Sequence, residues 1–257
     1  FSIQTIVHAE TSMESIAVVT GGAGGIGLAI AAKLAQSHEA VFIADINPDR
    51  LSQSQAHKNL VDSGRLRAYR CDVTQPTDAK QMASFISSQG KVRTLVNNAG
   101  ATEAHSLQGM TAESWNFEIS LNLNAAFMCF HAFAEQLKQT KGSVVNIASV
   151  NGLGFYGHPA YSAAKAGLIH FTKSIAVEYG KFGVRANAVA PGTVQTAAWD
   201  ARVRENPGIF DEVMQFYPLA RVIQPEDVAN AVEFLVGNRA AAITGICLPV
   251  DSGLTAG

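Results

Sequence analysis

Thr20-Gly21-Gly22-Ala23-Gly24-Gly25-Ile26-Gly27 closes a short β-branched run, Ile16–Thr20, and opens a helical pattern at Ile26–Ser37. Glycines between a strand and a helix permit a tight turn. They also let a pyrophosphate approach the N–H groups that point out of a helix N-terminus. Gly27 lets that helix sit close to the strands beneath it. Turns and caps also use glycine for purely structural reasons, so the meaning of the loop depends on what surrounds it.

Strand-like and helical stretches alternate over nearly the whole chain. Ala40–Asp45, Leu66–Asp72, Thr94–Asn98, Ser143–Ser149, Val184–Ala190 and Ile246–Val250 read as further strands. Most are continuous apolar runs, as expected when helices cover both faces of a sheet. Helical patterns fall at Asp49–Asp62, Thr77–Ser88, Ala112–Gln139, Ala160–Phe182 and Pro225–Val236. This alternation predicts an α/β fold, a single domain built on a doubly wound parallel sheet flanked by helices. Ligands then bind beyond the carboxyl ends of the strands.

Composition narrows the function. The 257 residues are 47% hydrophobic and 16% charged, against a typical charged share of roughly 25%. That deficit predicts apolar surface covered by further copies of the chain, a homo-oligomer. A net charge of −2 without any basic stripe points away from a nucleic-acid partner. No apolar run reaches the ~18 residues of a membrane helix, so no membrane partner is expected. Cys71, Cys129 and Cys247 form no C-x-x-C, which fits a cytoplasmic protein with buried thiols. The histidines form no H-x-x-x-H or H-E-x-x-H pair, so no metal is expected. Phe1 to Ser12 lack the basic start and apolar core of a secretory signal. They read as a leader or tag-like extension, residues 1–12, ahead of one domain over 13–257.

Asp45 ends the second strand, 18 residues after Gly27. An acid there can accept hydrogen bonds from the hydroxyls of an adenosine ribose and would repel a 2′-phosphate, so NAD is expected rather than NADP. Gly22 agrees, since no base stands there to meet a phosphate, and Pro48 separates Arg50 from the strand end. Asp72 and Val73, after strand 3, read either as contacts to the adenine or as a strand-end turn. Asn97-Asn98-Ala99-Gly100 follows strand 4, with small residues leaving room for a ribose or nicotinamide. Asn98 could instead tie strand ends together.

Ser149 ends strand 5, and Tyr161 and Lys165 follow, four residues apart on one face of a helix. Reducing a ketone needs a proton delivered to the developing alkoxide. A free phenol, with a pKa of about 10, is a poor base near neutrality, and a nearby ammonium favours its phenolate. The Ser149 hydroxyl can hold the substrate oxygen beside the phenol.

Together these motifs resemble the short-chain dehydrogenase/reductase family. The resemblance rests on T-G-x-x-x-G-x-G at Thr20–Gly27, Asn97-Asn98-Ala99-Gly100, Asn146-Ile147-Ala148-Ser149, Tyr161-Ser162-Ala163-Ala164-Lys165 and Pro191-Gly192. It implies a Rossmann-type domain with about seven strands, often a tetramer, in which residues 13–257 bind NAD and catalyse. It also implies a fourth catalytic residue beside Ser149, Tyr161 and Lys165, namely Asn122 in the segment Trp115 through Phe127, where it holds a water in a proton relay from lysine. Gly21, Gly25, Ile26, Gly27, Asp45, Asn98, Ala99 and Gly100 would bind the cofactor, with Tyr161 and Lys165. Pro191, Gly192, Val194 and Thr196 would close over the nicotinamide, with Thr193 or Thr196 touching it. Ala197 to Arg221 is where such enzymes carry a substrate lid, although an amphipathic helix packed on the core suits its aromatics equally. His158 reads as a pocket residue or as part of a turn at Pro159.

The expected activity is hydride transfer between NAD(H) and a secondary alcohol or ketone, with Tyr161 as general acid and base. A non-catalytic NAD-binding regulatory module of the same fold is the alternative from another class, and loss of Tyr161 or Lys165 would have favoured it. Reduction of 3-oxoacyl thioesters is a narrower enzymatic reading. Ser149 lacks the G-x-S-x-G frame of an acyl-transfer nucleophile.

Overall fold

Side chains along the first strand, β1 (Met13–Thr20), alternate between two apolar layers: Ile16 and Val18 face one, Ala17 and Val19 the other. A strand buried on both faces belongs at the centre of a sheet covered on each side. The computed structural model describes residues 13–103, 106–199, 203–204 and 206–256; the leader assigned to residues 1–12 lies outside them. Seven strands form one parallel sheet. They are β1, β2 (Ala40–Asp45), β3 (Leu66–Arg70), β4 (Gly90–Asn97), β5 (Ser143–Ile147), β6 (Arg185–Pro191) and β7 (Cys247–Val250), in the order β3-β2-β1-β4-β5-β6-β7. The expected Rossmann-type α/β architecture is present. The order reverses between β1 and β4, which opens a crevice at their carboxyl ends.

Helices cover both faces. Helix α1 (Gly25–Leu34) contributes Ile30 and Leu34 to the layer that holds Ile43 and Val96. After the short α2 (Lys58–Asp62), α3 (Pro76–Gln89) adds Met82 and Ile86 to the opposite layer. That layer also takes Phe133 and Leu137 of α5 (Ala125–Thr140), which continues α4 (Ala112–Ile119) through one irregular turn. Helix α6 (Pro159–Tyr179) follows β5, and a short α7 (Ile209–Met214) precedes α8 (Pro225–Val236). Helix α8 matches its predicted bounds, with Pro225 in its first turn and a capping box between Gln224 and Asp227.

Several boundaries differ from expectation, three of them for a visible local reason. The helix expected over Asp49–Asp62 is two 3-10 turns, Pro48–Arg50 and Gln55–His57, ahead of α2. Its serines compete for the backbone: the Ser52 hydroxyl donates to the Asp49 carbonyl at 2.7 Å, and Ser54 Oγ lies 2.8 Å from His57 Nδ1. The third strand stops at Arg70, because Asp72 turns the chain by accepting from the Thr74 amide (2.9 Å) and hydroxyl (2.6 Å). The sixth element ends at Tyr179, beyond which Gly183 in the left-handed region closes a 3-10 turn. Cys71 and Cys129 are buried and Cys247 is half-buried, and burial pushes all three thiols up. No described helix is long and apolar enough to cross a membrane.

Candidate active site

The crevice between β1 and β4 is built by Thr20. Its Oγ1 accepts from the backbone N–H groups of Asn98 (3.0 Å) and Ala99 (3.1 Å), while Asn98 Nδ2 donates to the carbonyls of Thr20 and Gly21, both at 3.0 Å. Asn98 thus ties the strand ends together and also lines the groove beneath them. Gly21 takes a φ of +60°, and a Cβ on it would stand 2.8 Å from Ala99 Cα. A Cβ on Gly27 would strike the Gly21 carbonyl and come within 2.6 Å of Asn98 Nδ2. Gly24 caps α1 without a side-chain hydrogen bond, so the first-turn N–H groups can meet an anion. Gly27→Ala should therefore lower stability by ~1–3 kcal/mol through overpacking. It should also shrink the rise in Tm that NADH produces, which a thermal-shift assay with and without NADH would read.

Asp45 ends β2 above this turn. Its Oδ2 accepts from the Ala23 amide at 3.1 Å and its Oδ1 from the Asn47 amide at 2.9 Å, so the carboxylate is fixed and keeps lone pairs for further donors. The groove, about 460 Å³, runs from Gly21 and Asp45 to Tyr161 and Thr196. A Cβ on Gly24 would meet nothing within 4 Å, so the start of α1 lies open for a phosphate to approach.

Beyond β5, the Ser149 hydroxyl accepts from the Asn151 amide at 3.2 Å and starts a 3-10 turn. Asn151 Nδ2 donates to the Gly157 carbonyl (2.9 Å) and to Ser162 Oγ (3.1 Å), which fastens the loop to the start of α6. Tyr161 and Lys165 stand one turn apart there. Lys165 is only 3% exposed; its Nζ donates to the Ile147 carbonyl at 2.8 Å and lies 5.4 Å from the centroid of the Tyr161 ring. Burial brings the Lys165 pKa down to about 7. Burial raises that of Tyr161, against a hydrogen bond with Ser149 that lowers it, and the Glu118 charge raises it further. The expected lowering of the phenol by the Lys165 ammonium does not figure among these influences, of which desolvation is the largest.

Asn122 enters through a backbone irregularity. Between α4 and α5 the chain makes one π turn, Ser120–Asn124, and the Ala125 N–H reaches back to the Ser120 carbonyl. Such turns often mark functional sites. Asn122 Nδ2 donates to the carbonyls of Ala101 (2.7 Å) and Glu118 (2.9 Å), while its buried Oδ1 has no protein hydrogen-bond partner. A Cβ on Gly100 would come within 2.6 Å of Asn122 Oδ1 and 3.2 Å of Lys165 Nζ, so Gly100 lies directly against both. Glu118, fully buried, accepts from the Thr102 hydroxyl (3.1 Å) and the Glu103 amide (2.7 Å), and Thr102 Oγ1 is 3.1 Å from His158 Nδ1.

A second cavity, of about 930 Å³, adjoins the groove; Gly100, Ser149, Tyr161 and Gly192 line both. A phenol and a serine hydroxyl at the junction of a dinucleotide groove and a second cavity can exchange a proton with a molecule held beside the cofactor. A family profile described as enoyl-(acyl carrier protein) reductase matches residues 21–255. A solved oxidoreductase of the short-chain dehydrogenase/reductase family from Burkholderia thailandensis is 40% identical, with a TM-score of 0.87, over 96% of this chain and 94% of its own. The chain belongs to the short-chain dehydrogenase/reductase family. It is an oxidoreductase of a family that binds a nicotinamide cofactor. The 3-oxoacyl-(acyl-carrier-protein) reductase of a Synechocystis species is 37% identical over 93% of this chain and 96% of its own. A variant actinorhodin polyketide ketoreductase solved with NADPH is 32% identical, with a TM-score of 0.85, over 94% of this chain and 97% of its own.

Within this short-chain dehydrogenase/reductase chain, the groove gathers Gly21, Gly25, Ile26, Gly27, Asp45, Asn98 and Gly100 with Pro191, Gly192 and Thr196. Ala99 backs Gly21 rather than lining the groove, and Val194 lines the second cavity. Asp72 and Val73 stand away from the groove lining: Asp72 is engaged by Thr74, and Val73 is buried in the core. Asn97 also serves the interior, its Nδ2 donating to Asn146 Oδ1 at 2.8 Å. Of the described residues after Thr196, Met214 and Tyr217 pack into the core, while Trp199, Phe216 and Tyr217 line the cavity. His158 likewise lines the cavity from a left-handed turn at φ +55°. Arg50 was set aside in the sequence because Pro48 separates it from the strand end, and Glu118 was not singled out. The 3-10 turn at Pro48–Arg50 brings Arg50 to the groove beside Asp45, and Glu118 shared a helical face with Asn122, four residues on, that could have drawn attention.

Proposed function

We propose that this protein is an NAD(H)-dependent oxidoreductase that interconverts a secondary alcohol and its ketone, with Tyr161 as general acid and base. The observation that carries this reading is the placement of Ser149 and Tyr161 on the shared wall of the two cavities, with Lys165 on the groove side. A bound nicotinamide supplies or accepts the hydride. In the reducing direction Ser149 Oγ and the Tyr161 hydroxyl both donate to the carbonyl oxygen, and Tyr161 surrenders its proton as the alkoxide forms. Burial keeps the phenol protonated near neutrality, the state that reduction needs. Lys165, with a pKa of about 7, gives and takes a proton readily at that pH. It is placed to re-protonate Tyr161, and Asn122 Oδ1, across Gly100, is placed to accept from a water that links Lys165 to solvent.

Asp45 supports NAD over NADP, because its anchored carboxylate would repel a 2′-phosphate; Arg50 on the same groove works the other way. Wild-type protein should show a higher kcat/KM with NADH than with NADPH, and Asp45→Ala should cut that ratio about tenfold. A wild-type ratio that favours NADPH would overturn the assignment. Reduction of a 3-oxoacyl thioester is the second reading, favoured by the name of the Synechocystis relative. A tetramer remains the expected assembly: Val177 of α6 is 81% exposed and Phe127 of α5 52%, and light scattering would test whether copies of the chain cover them. A regulatory module without turnover would bind NADH yet oxidise no alcohol in a panel assay.

A further inference from the structure

The cavity beside the groove differs from it in charge. Lys165, Arg50 and Asp45 all line the groove, whereas among the described residues no lysine, arginine, aspartate or glutamate lines the cavity. Behind its wall lie an acid and a base: Glu118, fully buried, holds the cavity residue Thr102 at 3.1 Å, and Lys165 Nζ stands 5.4 Å from the centroid of the Tyr161 ring. A carboxylate or phosphate entering there would lose its hydration with no described lysine or arginine in the lining to compensate it.

Beside Tyr161, four aromatic side chains stand in that wall. Tyr156, 45% exposed, reaches in from the loop after Ser149, and Phe216, 66% exposed, from the segment after α7. Trp199 is braced by Phe210, with ring centroids 5.4 Å apart. Tyr217 is fixed by its hydroxyl, which accepts from the Thr193 amide and donates to Thr193 Oγ1, both at 2.9 Å. Aromatic surface left exposed at the mouth of a cavity marks a place where an apolar ligand is expected. Rings on opposing elements suit an inserted ring, through offset or edge contacts.

We propose that the cavity takes a neutral, ring-bearing secondary alcohol or the matching ketone, its ring held among Tyr156, Trp199 and Phe216 and its oxygen at Ser149 and Tyr161. This rests on the alcohol–ketone reading above. In the oxidising direction the carbinol C–H leaves as hydride to NAD, the hydroxyl proton passes to Tyr161 and on to solvent, and the products are ketone, NADH and a proton.

Two ligands of one skeleton test it: 4′-methylacetophenone and 4-acetylbenzoate, which differ in a methyl against a carboxylate. Trp115→Phe leaves Trp199 as the sole tryptophan, so its fluorescence reports ketone binding to the complex with oxidised NAD, in which no hydride is available and no turnover occurs. The methyl ketone should bind at least tenfold more tightly, and its reduction should show at least tenfold higher kcat/KM. Tyr156→Ala and Phe216→Ala should each raise its Kd three- to tenfold while shifting KM for butan-2-one less than twofold. Equal or tighter binding of the carboxylate overturns the proposal. So does a tenfold preference for acetoacetyl-CoA, or an unchanged Kd in both alanine variants. Tight binding of the methyl ketone without reduction would leave the cavity assignment standing and sink the alcohol–ketone reading instead.

Discussion

Tyr161→Phe should lower turnover about a thousandfold while NADH binding stays within threefold of wild type. The size follows from what is removed: general acid catalysis by a positioned side chain contributes roughly 10²–10⁴. The phenyl ring keeps the packing of α6, and the groove keeps Gly21, Asp45 and Lys165, so the cofactor loses only one contact. The pH profile gives an independent check. Burial raises the Tyr161 pKa, so the protonated phenol persists through neutrality, and ketone reduction should hold its rate there. Alcohol oxidation needs the phenolate, whose fraction rises with pH, so the oxidative rate should climb on the alkaline side in wild type. In Tyr161→Phe that climb should vanish. Near-wild-type turnover in the variant would remove Tyr161 from the chemistry altogether.

Lys165→Met should abolish most turnover and yet raise the melting temperature. Bringing a lysine from 10.5 to about 7 corresponds to a folding penalty on the order of 4–5 kcal/mol where the unfolded chain is fully protonated. Methionine fills nearly the same volume without a charge. Loss of the bond to the Ile147 carbonyl offsets ~1–3 kcal/mol of the gain. A net stabilisation of ~2 kcal/mol raises Tm by roughly 4–8 °C in a domain of this size. The sign has a pH signature. Between about pH 7 and 10.5 the unfolded state binds more protons than the folded one, so wild-type stability rises with pH across that window. The advantage of the variant should accordingly be greatest at pH 6–7 and fade towards pH 10. A variant that melts below wild type at pH 7 would show that Lys165 is held by compensating charge, and that its lowered pKa is wrong.

How much of this was legible in the sequence depended on whether the signal lay in side-chain pattern or in backbone path. Tyr161 and Lys165 announce themselves by helical spacing after a strand-end serine, and Asp45 by its distance from Gly27. The strands were legible because a strand covered on both faces must be a continuous apolar run, as Ile16–Thr20 is. Asn122 carried no such mark. Its position depends on a π turn that hydropathy does not encode, and only the family resemblance pointed to it. Arg50 was set aside because Pro48 separates it from the strand end, yet the 3-10 turn that Pro48 itself opens brings Arg50 back to the groove. Asp72 misled in the opposite sense, since strand-end acids bind ligands and cap turns with equal ease, and here Thr74 claims it.

The π turn has a consequence for how this site can vary. An α-helix advances about 100° per residue, so one inserted residue resets the angular phase between the stretches before and after it. The stretch after, from Ala125, is bound to the core by Phe130, Phe133 and Leu137. The stretch before carries Glu118, which anchors Thr102 on the cavity wall. Deleting one residue within Ser120–Asn124 would regularise the helix and swing Glu118 around its axis, taking the anchor from beneath Thr102. Length changes of a single residue, more than substitutions, are therefore the economical way for a chain of this design to rebuild its cavity floor while its core stays intact.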